Sequence, residues 1–469
     1  MLFVSGLAMS VQSRTPWAIS IKVLPESSRV IVKGSTGPTT VWSFADVSAG
    51  VVGLGSRIKN LELSDAKGTR IDVQQIAPGQ FHSSTPASSF TYEVDLAASS
   101  TSGTTLVSWL NADRGVLMPG DLLPLQFPTY ILIHVDAPQG WTIYSAGRKK
   151  SETDFEIDDS NRSALVLGKN LRASTRSAAN TVLTLVTQGE WAFPDNEAID
   201  LAARILKAHS DIAGPVPCDQ TLVTVLPFLN AGASARWNAR TSGCSVSLLM
   251  GKQPSRVGAL SQLGNALTHE LFHLWIPNGL TLEGEYDWFY EGFTVYHAAN
   301  MAVRLDLLTF SDLMDAIGRA NDASSSAADS SQVSLIEASR RRWSSGAAAV
   351  YSKAMVLAFL YDLNLRYQSK GKRSLDDVYR TIFRVQKGLT TKSEGNAVVI
   401  GALNSVSGSP VFVTRFVTQP ANIDLKTELA PFGLRVEKFG SRPRIVVGEK
   451  LTSRQRDLLR ELGYNDRTR

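Results

Sequence analysis

From about residue 17 to residue 190 the chain alternates apolar and polar positions over short runs. Residues 19–23, 29–32, 90–96 and 130–135 carry this alternation with β-branched or aromatic side chains, the signature of strands with one buried face. Turn signals separate them at Gly37-Pro38, Pro119-Gly120-Asp121 and Pro138-Gln139-Gly140. Residues 181–186 read as the last strand of this part. From Pro194 the period lengthens: Ile199, Ala202, Ala203, Leu206 and Ala208 recur at roughly helical spacing, with Asp195 placed to cap. Residues 222–229 and 246–250 read as buried strands. Beyond residue 255 helical patterns dominate, over 257–275, 287–307, 310–319, 347–367, 375–386 and 396–406. The Ser/Ala/Asp-rich stretch 320–333 reads as a mobile connection. The expected fold class is therefore α+β and multidomain: a β-rich domain over 17–190, a mixed domain over 191–306, a helical domain over 307–440 and a tail over 441–469.

Composition narrows the classes. The chain has 469 residues, of which 43% are hydrophobic and 19% charged, enough for a large core and too apolar for wholesale disorder. No stretch approaches the ~18–20 uncharged apolar residues of a spanning helix, so no transmembrane segment is expected. Residues 1–16 read as either a signal-peptide remnant, which would imply export to the periplasm or the medium, or a disordered terminus of a cytoplasmic protein. The net charge of +5 is mild. The basic runs Arg148-Lys149-Lys150 and Arg340-Arg341-Arg342 lack interleaved aromatics and read as solvated surface, so no nucleic-acid partner is expected. Cys218 and Cys244 exclude a disulfide framework and a cysteine-type zinc site; they form one disulfide or two buried thiols.

The chemistry concentrates at Thr268-His269-Glu270-Leu271-Phe272-His273-Leu274-Trp275. Histidines four apart on a helix lie one turn apart on one face, so both imidazoles can reach one ion. The intervening Glu270 cannot join them on that ion but can reach a water beside it. Leu260, Leu263, Leu267, Leu271 and Leu274 would bury the helix. An open zinc site needs a third protein ligand. Ile276 and Gly279 stand where the extended motif with a third histidine needs glycine and histidine. A carboxylate from a second helix is the alternative. Glu291 is preferred to Glu283 and Glu285, because it sits among Trp288, Phe289, Tyr290 and Phe293, where a carboxylate must be neutralised. His297, Trp275 and Tyr296 read as core residues.

His269-Glu270-Leu271-Phe272-His273 followed by Trp288-Phe289-Tyr290-Glu291-Gly292-Phe293-Thr294-Val295-Tyr296 resembles the gluzincin peptidases. Tyr351-Ser352-Lys353-Ala354 is similar to the Tyr-x-Lys-Gly segment that carries the transition-state tyrosine of that clan, with Ala354 for the usual glycine. Ser407-Gly408 through Phe412 and Gly433 through Val436 look like the end of the catalytic region in the glycyl aminopeptidase family, metallopeptidase family sixty-one. The resemblance covers roughly residues 190–437. It implies an N-terminal antiparallel β saddle or sandwich, a thermolysin-like mixed catalytic domain and a C-terminal helical domain carrying Tyr351. It also implies one zinc ion per chain on His269, His273 and Glu291, with Glu270 and Tyr351 as catalytic groups and a peptide or protein as substrate. About thirty-five residues follow Gly433, too few for the PDZ module that members often carry.

The departures bear on substrate. Aminopeptidases of the clan present an amine-anchoring glutamate on a strand upstream of the zinc helix. The matching place here, Ser242 through Ser247, with Gly243 and Ser245 as candidate substrate contacts, holds no acid; no glutamate occurs between Glu197 and Glu270. Glu283, Glu285 and Asp287 are the candidate replacements. Exopeptidase and endopeptidase action are both open, as is the oligomeric state. A non-catalytic binding or scaffold protein on a gluzincin fold is the competing reading.

Overall fold

The computed structural model describes residues 16–97, 106–229, 237–327, 332–439 and 442–465. The chain divides into two compact units, Met1–Leu171 and Arg172–Arg469. The first is β-rich. Its larger sheet is built around the long antiparallel pair Arg29–Ser43 and Gln80–Asp95. Trp17–Leu24 lies beside the first of these, with Ile21 opposite Val32. The alternation seen in the sequence holds in space: Ile19, Ile21, Val23, Val30 and Val32 are buried while Lys22 and Lys33 are exposed. One pairing departs from the expected antiparallel pattern, because Ile131–Asp136 runs parallel to Trp17–Leu24. A smaller sheet orders Thr142–Ser145, Leu165–Gly168, Arg114–Leu117 and Trp109–Leu110. The segment 1–16, read as either a signal-peptide remnant or a disordered terminus, lies outside the described residues except for Pro16.

The second unit opens earlier than the expected boundary at 190. The strands Arg172–Ala178 and Thr181–Thr187 form a hairpin, and the latter pairs in parallel with Gln220–Pro227 rather than with the first unit's sheets. Their local pattern identified strands; their partner is set by the hydrogen-bonding register, with Val182 opposite Gln220. A parallel pair needs a crossover, and helix Asp195–Ala213 supplies it. Asp195, expected as the cap, is instead the first helical residue. It binds the Arg172 guanidinium at 2.7 and 3.0 Å and the Thr187 hydroxyl at 3.0 Å. Ser245–Met250 follows in parallel, and Trp237–Ser242 closes the sheet as an antiparallel edge strand. Of the two open readings of the cysteines, the structure has the disulfide: Cys218 and Cys244 are joined.

The remainder is helical. Helix Phe310–Ser326 extends well into the stretch read as a mobile connection, opened by a capping box between Thr309 and Asp312. The expected tail is also ordered. Strand Arg442–Val447 pairs with Leu434–Phe439, and helix Ser453–Glu461 buries Leu458 and Leu459. Among the described residues three π-helical segments interrupt the regular winding, Thr414–Thr418 being one. The other two bear on the site: Trp288–Phe293, which runs into helix Thr294–Arg304, and Ala349–Lys353, which runs into helix Ala354–Ser369. They pack so closely at Gly292 that a Cβ there would lie 2.3 Å from the Val350 carbonyl oxygen and 2.3 Å from the Ala354 Cβ. Ala354 thus fills the space that Gly292 leaves, which is how the chain accommodates its departure from the usual glycine.

Gly292→Ala should therefore cost about 3 kcal/mol, since backbone stands in the way. Ala354→Gly should cost only about 1 kcal/mol through chain entropy. Thermal unfolding midpoints of the two variants test this; equal midpoints would mean the two turns can move apart.

Candidate active site

The helix Arg256–Glu270 begins where the Ser255 side chain accepts the Gly258 amide at 3.1 Å. Ala259, Leu263, Ala266 and Leu267 bury one side of it. It ends sooner than its pattern suggests. After Glu270 the chain tightens into a turn at Phe272–Leu274, which carries His273. The two histidines still face each other, with ring centroids 4.6 Å apart and Nε2 atoms 3.0 Å apart. The His273 Nδ1–H donates to the Ile276 carbonyl at 2.8 Å, leaving Nε2 free to bind an electrophile.

Glu291 arrives from the π-helical turn Trp288–Phe293. Its Oε2 lies 3.4 Å from His269 Nε2 and 3.5 Å from His273 Nε2. Among the described residues these three form the group able to hold a metal ion, their donor atoms all within 4.8 Å of one another. Such separations suit one ion at ~2.0–2.2 Å from each donor, and two imidazoles with a carboxylate are the donor set of an open zinc site. Each of the three is less than 10% exposed.

The electrostatics agree. Burial alone would lower the His273 pKa, but the charge and hydrogen bond of Glu291, helped by Glu270, raise it to about 9. Burial would raise the Glu291 pKa; the two imidazoles, with Arg342, hold it well below the usual carboxylate range. Glu270 is buried beside the pair, and its Oε2 accepts the Thr241 hydroxyl at 2.7 Å. Tyr351, on the π-helical turn Ala349–Lys353, is half-buried, and its oxygen accepts from Arg342 Nη2. Burial and then the Glu291 charge push the phenol well above its ordinary pKa, so it is a proton donor.

The other expected site residues lie elsewhere. Glu283 and Glu285 are exposed. Glu283 lies in the short strand Leu282–Glu283, paired with Ser393–Glu394, and the Glu285 carbonyl accepts from Asn396. Gly243 sits at the turn between the edge strand and Ser245–Met250, with φ +53°, and Ser245 is buried within the sheet. The side chains that reach the site from the edge strand are instead Trp237, whose ring centre is 6.5 Å from that of His269, and Thr241. His297 packs behind the helix, 3.3 Å from His209, which meets the Thr268 carbonyl at 3.0 Å; burial lowers the pKa of both rings well below the ordinary value. Tyr296 donates to Asp362 at 2.7 Å and Trp275 to the carbonyls of Gly214 and Pro215.

Thr241 and Arg342 have no signature in the sequence of the kind the histidines have. Arg340 and Arg341 are exposed and pair with Glu337, as a solvated run should. Arg342 turns inward to Glu291 and Asp287. The available signal was two acids, Asp287 and Glu291, in an aromatic segment with no cation nearby in sequence. A cavity of about 940 Å³ lies in the same unit; His269, Glu270, His273, Glu291 and Tyr351 are not part of its lining. Its lining includes Trp237, Asn265 one turn before His269, Val295 one turn after Glu291, and Met355 one turn after Tyr351.

No model of a protein family matches the chain. A stretch of 139 residues is 37% identical to aminopeptidase N of Canis lupus familiaris, covering 27% of this chain and 13% of that relative. The match thus spans a small part of the relative's length. An aminopeptidase N family protein from Idiomarina loihiensis superposes with a TM-score of 0.78 over 90% of this chain and 79% of its own, at 18% identity. An M1 zinc metallopeptidase from Deinococcus radiodurans gives 0.55 over 87% and 94%, at 14% identity. A variant of it bound to Tyr-Ser-Ala substrate gives 0.56 over 87% and 94%, at 14% identity. The chain has the aminopeptidase N-like fold.

The raised pKa of His273 has a measurable result. Below about pH 9 an incoming ion must displace its proton. Apparent zinc affinity should therefore rise about tenfold per pH unit from pH 6 to 8 and level off near 9. Chelator-competition titrations at several pH values would reveal this slope, and a flat profile would contradict it.

Proposed function

We propose that the chain is a zinc-dependent peptidase of the gluzincin kind, with one zinc ion per chain. The observation that carries this is the convergence of His269, His273 and Glu291 on one point with Glu270 beside them. The aminopeptidase N-like fold supports it. The narrower kinship with the glycyl aminopeptidase family rests on the residue matches at Ser407 through Phe412 and Gly433 through Val436.

His269 and His273 would bind the ion through Nε2 and Glu291 through Oε2. The ion supplies Lewis acidity and lowers the pKa of water toward ~7. Glu270, aimed by the Thr241 hydroxyl, accepts a proton from the attacking water and passes it to the departing amine. Tyr351 donates a hydrogen bond to the oxygen that gains charge, a contact that such donors make worth about 3–4 kcal/mol. The five groups His269, Glu270, His273, Glu291 and Tyr351 come from three separate segments, so their mutual positions depend on the fold.

The edge strand bears on which end of the substrate is held. Thr241 stands over Glu270, and no acid lies on Trp237–Ser242. Glu283 and Glu285 are exposed. We therefore favour tolerance of a blocked amino terminus. The disulfide supports an oxidising compartment. Among the described residues no helix is long and apolar enough to cross a membrane.

Glu270→Gln should keep near-stoichiometric zinc and lose peptidase activity by several orders of magnitude. Full zinc in the wild type with no turnover of any peptide in a library would favour the scaffold reading instead. An N-acetylated peptide should be cut within about tenfold of its free form, since loss of an ion pair worth more than ~1.4 kcal/mol would exceed that. Cleavage confined to free peptides would point to an anchor in the 283–285 loop, which Glu283→Gln and Glu285→Gln would locate.

A further inference from the structure

Arg342 is the one member of its run that leaves the surface; its side chain is 12% exposed. Four of its five N–H groups are engaged within the site. Nη2 donates to Glu291 Oε1 at 2.8 Å and to the Tyr351 hydroxyl. Nη1 donates to Asp287 Oδ1 at 2.8 Å and to the Tyr290 hydroxyl at 3.0 Å. Tyr290 in turn donates to the same Asp287 oxygen at 2.6 Å. Trp343 stacks on the guanidinium, 4.3 Å from its carbon to the ring centre. Both terminal nitrogens are thus held, and the group joins Glu291 and Tyr351 from separate helices.

The chemistry of the acceptors has two consequences. A carboxylate facing an ion can offer one oxygen or both. Here Oε1 is taken by the guanidinium and Oε2 faces the two imidazoles. A phenol oxygen that accepts from a cation must send its own proton elsewhere. We propose that Arg342 is a positioning residue of the metal centre, whose fork presents Glu291 to the ion through Oε2 alone and turns the Tyr351 proton toward the substrate. The half concerning Glu291 requires only that the site binds zinc; the half concerning Tyr351 rests on the peptidase reading. Lysine cannot replace it, because a single ammonium lacks the planar fork that reaches both acceptors.

The test uses the full chain carrying Arg342→Lys, which keeps the charge that Asp287 and Glu291 need. Chelator competition on the metal-free protein should show zinc affinity lowered by about 10- to 100-fold, with the thermal midpoint close to wild type. At saturating zinc, kcat should fall with KM little changed. Added to Tyr351→Phe, the lysine variant should lower kcat no further, because it acts through that hydroxyl. Wild-type zinc affinity in Arg342→Lys would overturn the Glu291 half, and an additive effect with Tyr351→Phe would overturn the Tyr351 half; both together would leave Arg342 a structural ion pair. A wild-type protein that cuts no peptide would defeat the peptidase reading, and the zinc titration would still decide the Glu291 half. Should Arg342→Lys fail to fold, Asp287→Asn frees the guanidinium to turn while leaving it in place. A loss of zinc affinity there supports the proposal, and unchanged affinity refutes it.

Discussion

The second unit is organised around one buried charge. Glu291 lies in a segment of Trp288, Phe289, Gly292 and Phe293, all buried, where a lone carboxylate would be costly. Its two oxygens are therefore compensated on opposite sides, by imidazoles at one and a guanidinium at the other. That requirement draws three segments together: the His269 helix, the π-helical turn itself and the chain around Arg342. The apolar core supplies most of the stability of these helices, but it is indifferent to which way they are rotated. The charge is not, and it fixes their mutual orientation.

Thr241 completes the arrangement from the sheet. A hydroxyl over Glu270 orients that carboxylate without neutralising its charge. An acid at this place would compete for the same cations and repel Glu270. The edge strand thus trades a possible contact to substrate for control of the neighbouring carboxylate.

Local features were legible in the sequence where one segment sufficed. His269 and His273 lie on consecutive turns, so their spacing shows that they share a face, with Glu270 between them in sequence. Glu291 could be singled out because an acid among aromatics needs a partner. What required two distant segments was hidden. Arg342 looks like its neighbours because the inward turn is decided by Glu291 and Asp287, about fifty residues earlier. The edge strand Trp237–Ser242 is half-buried almost throughout and has no alternation to read. Strands Arg172–Ala178 and Thr181–Thr187 belong to the second unit through pairing with Gln220–Pro227, which a local pattern cannot show. Helix Ser453–Glu461 buries too short an apolar stripe, Leu458, Leu459 and Leu462, to stand out in a charged segment.

The two π-helical turns at the site carry a constraint of a different kind. A π turn holds one residue more than an α turn, and each residue advances the helical azimuth by about 100°. Loss of one residue from Trp288–Phe293 or Ala349–Lys353 would restore regular winding and swing everything on one side of it by that angle. Glu291 would then turn away from the two imidazoles, or Tyr351 away from the Arg342 guanidinium. Loops elsewhere in the chain can lengthen or shorten over generations with little harm. These two turns, though made of ordinary hydrogen-bonded helix, have a length that descent cannot alter by even one codon without dismantling the arrangement around Glu291.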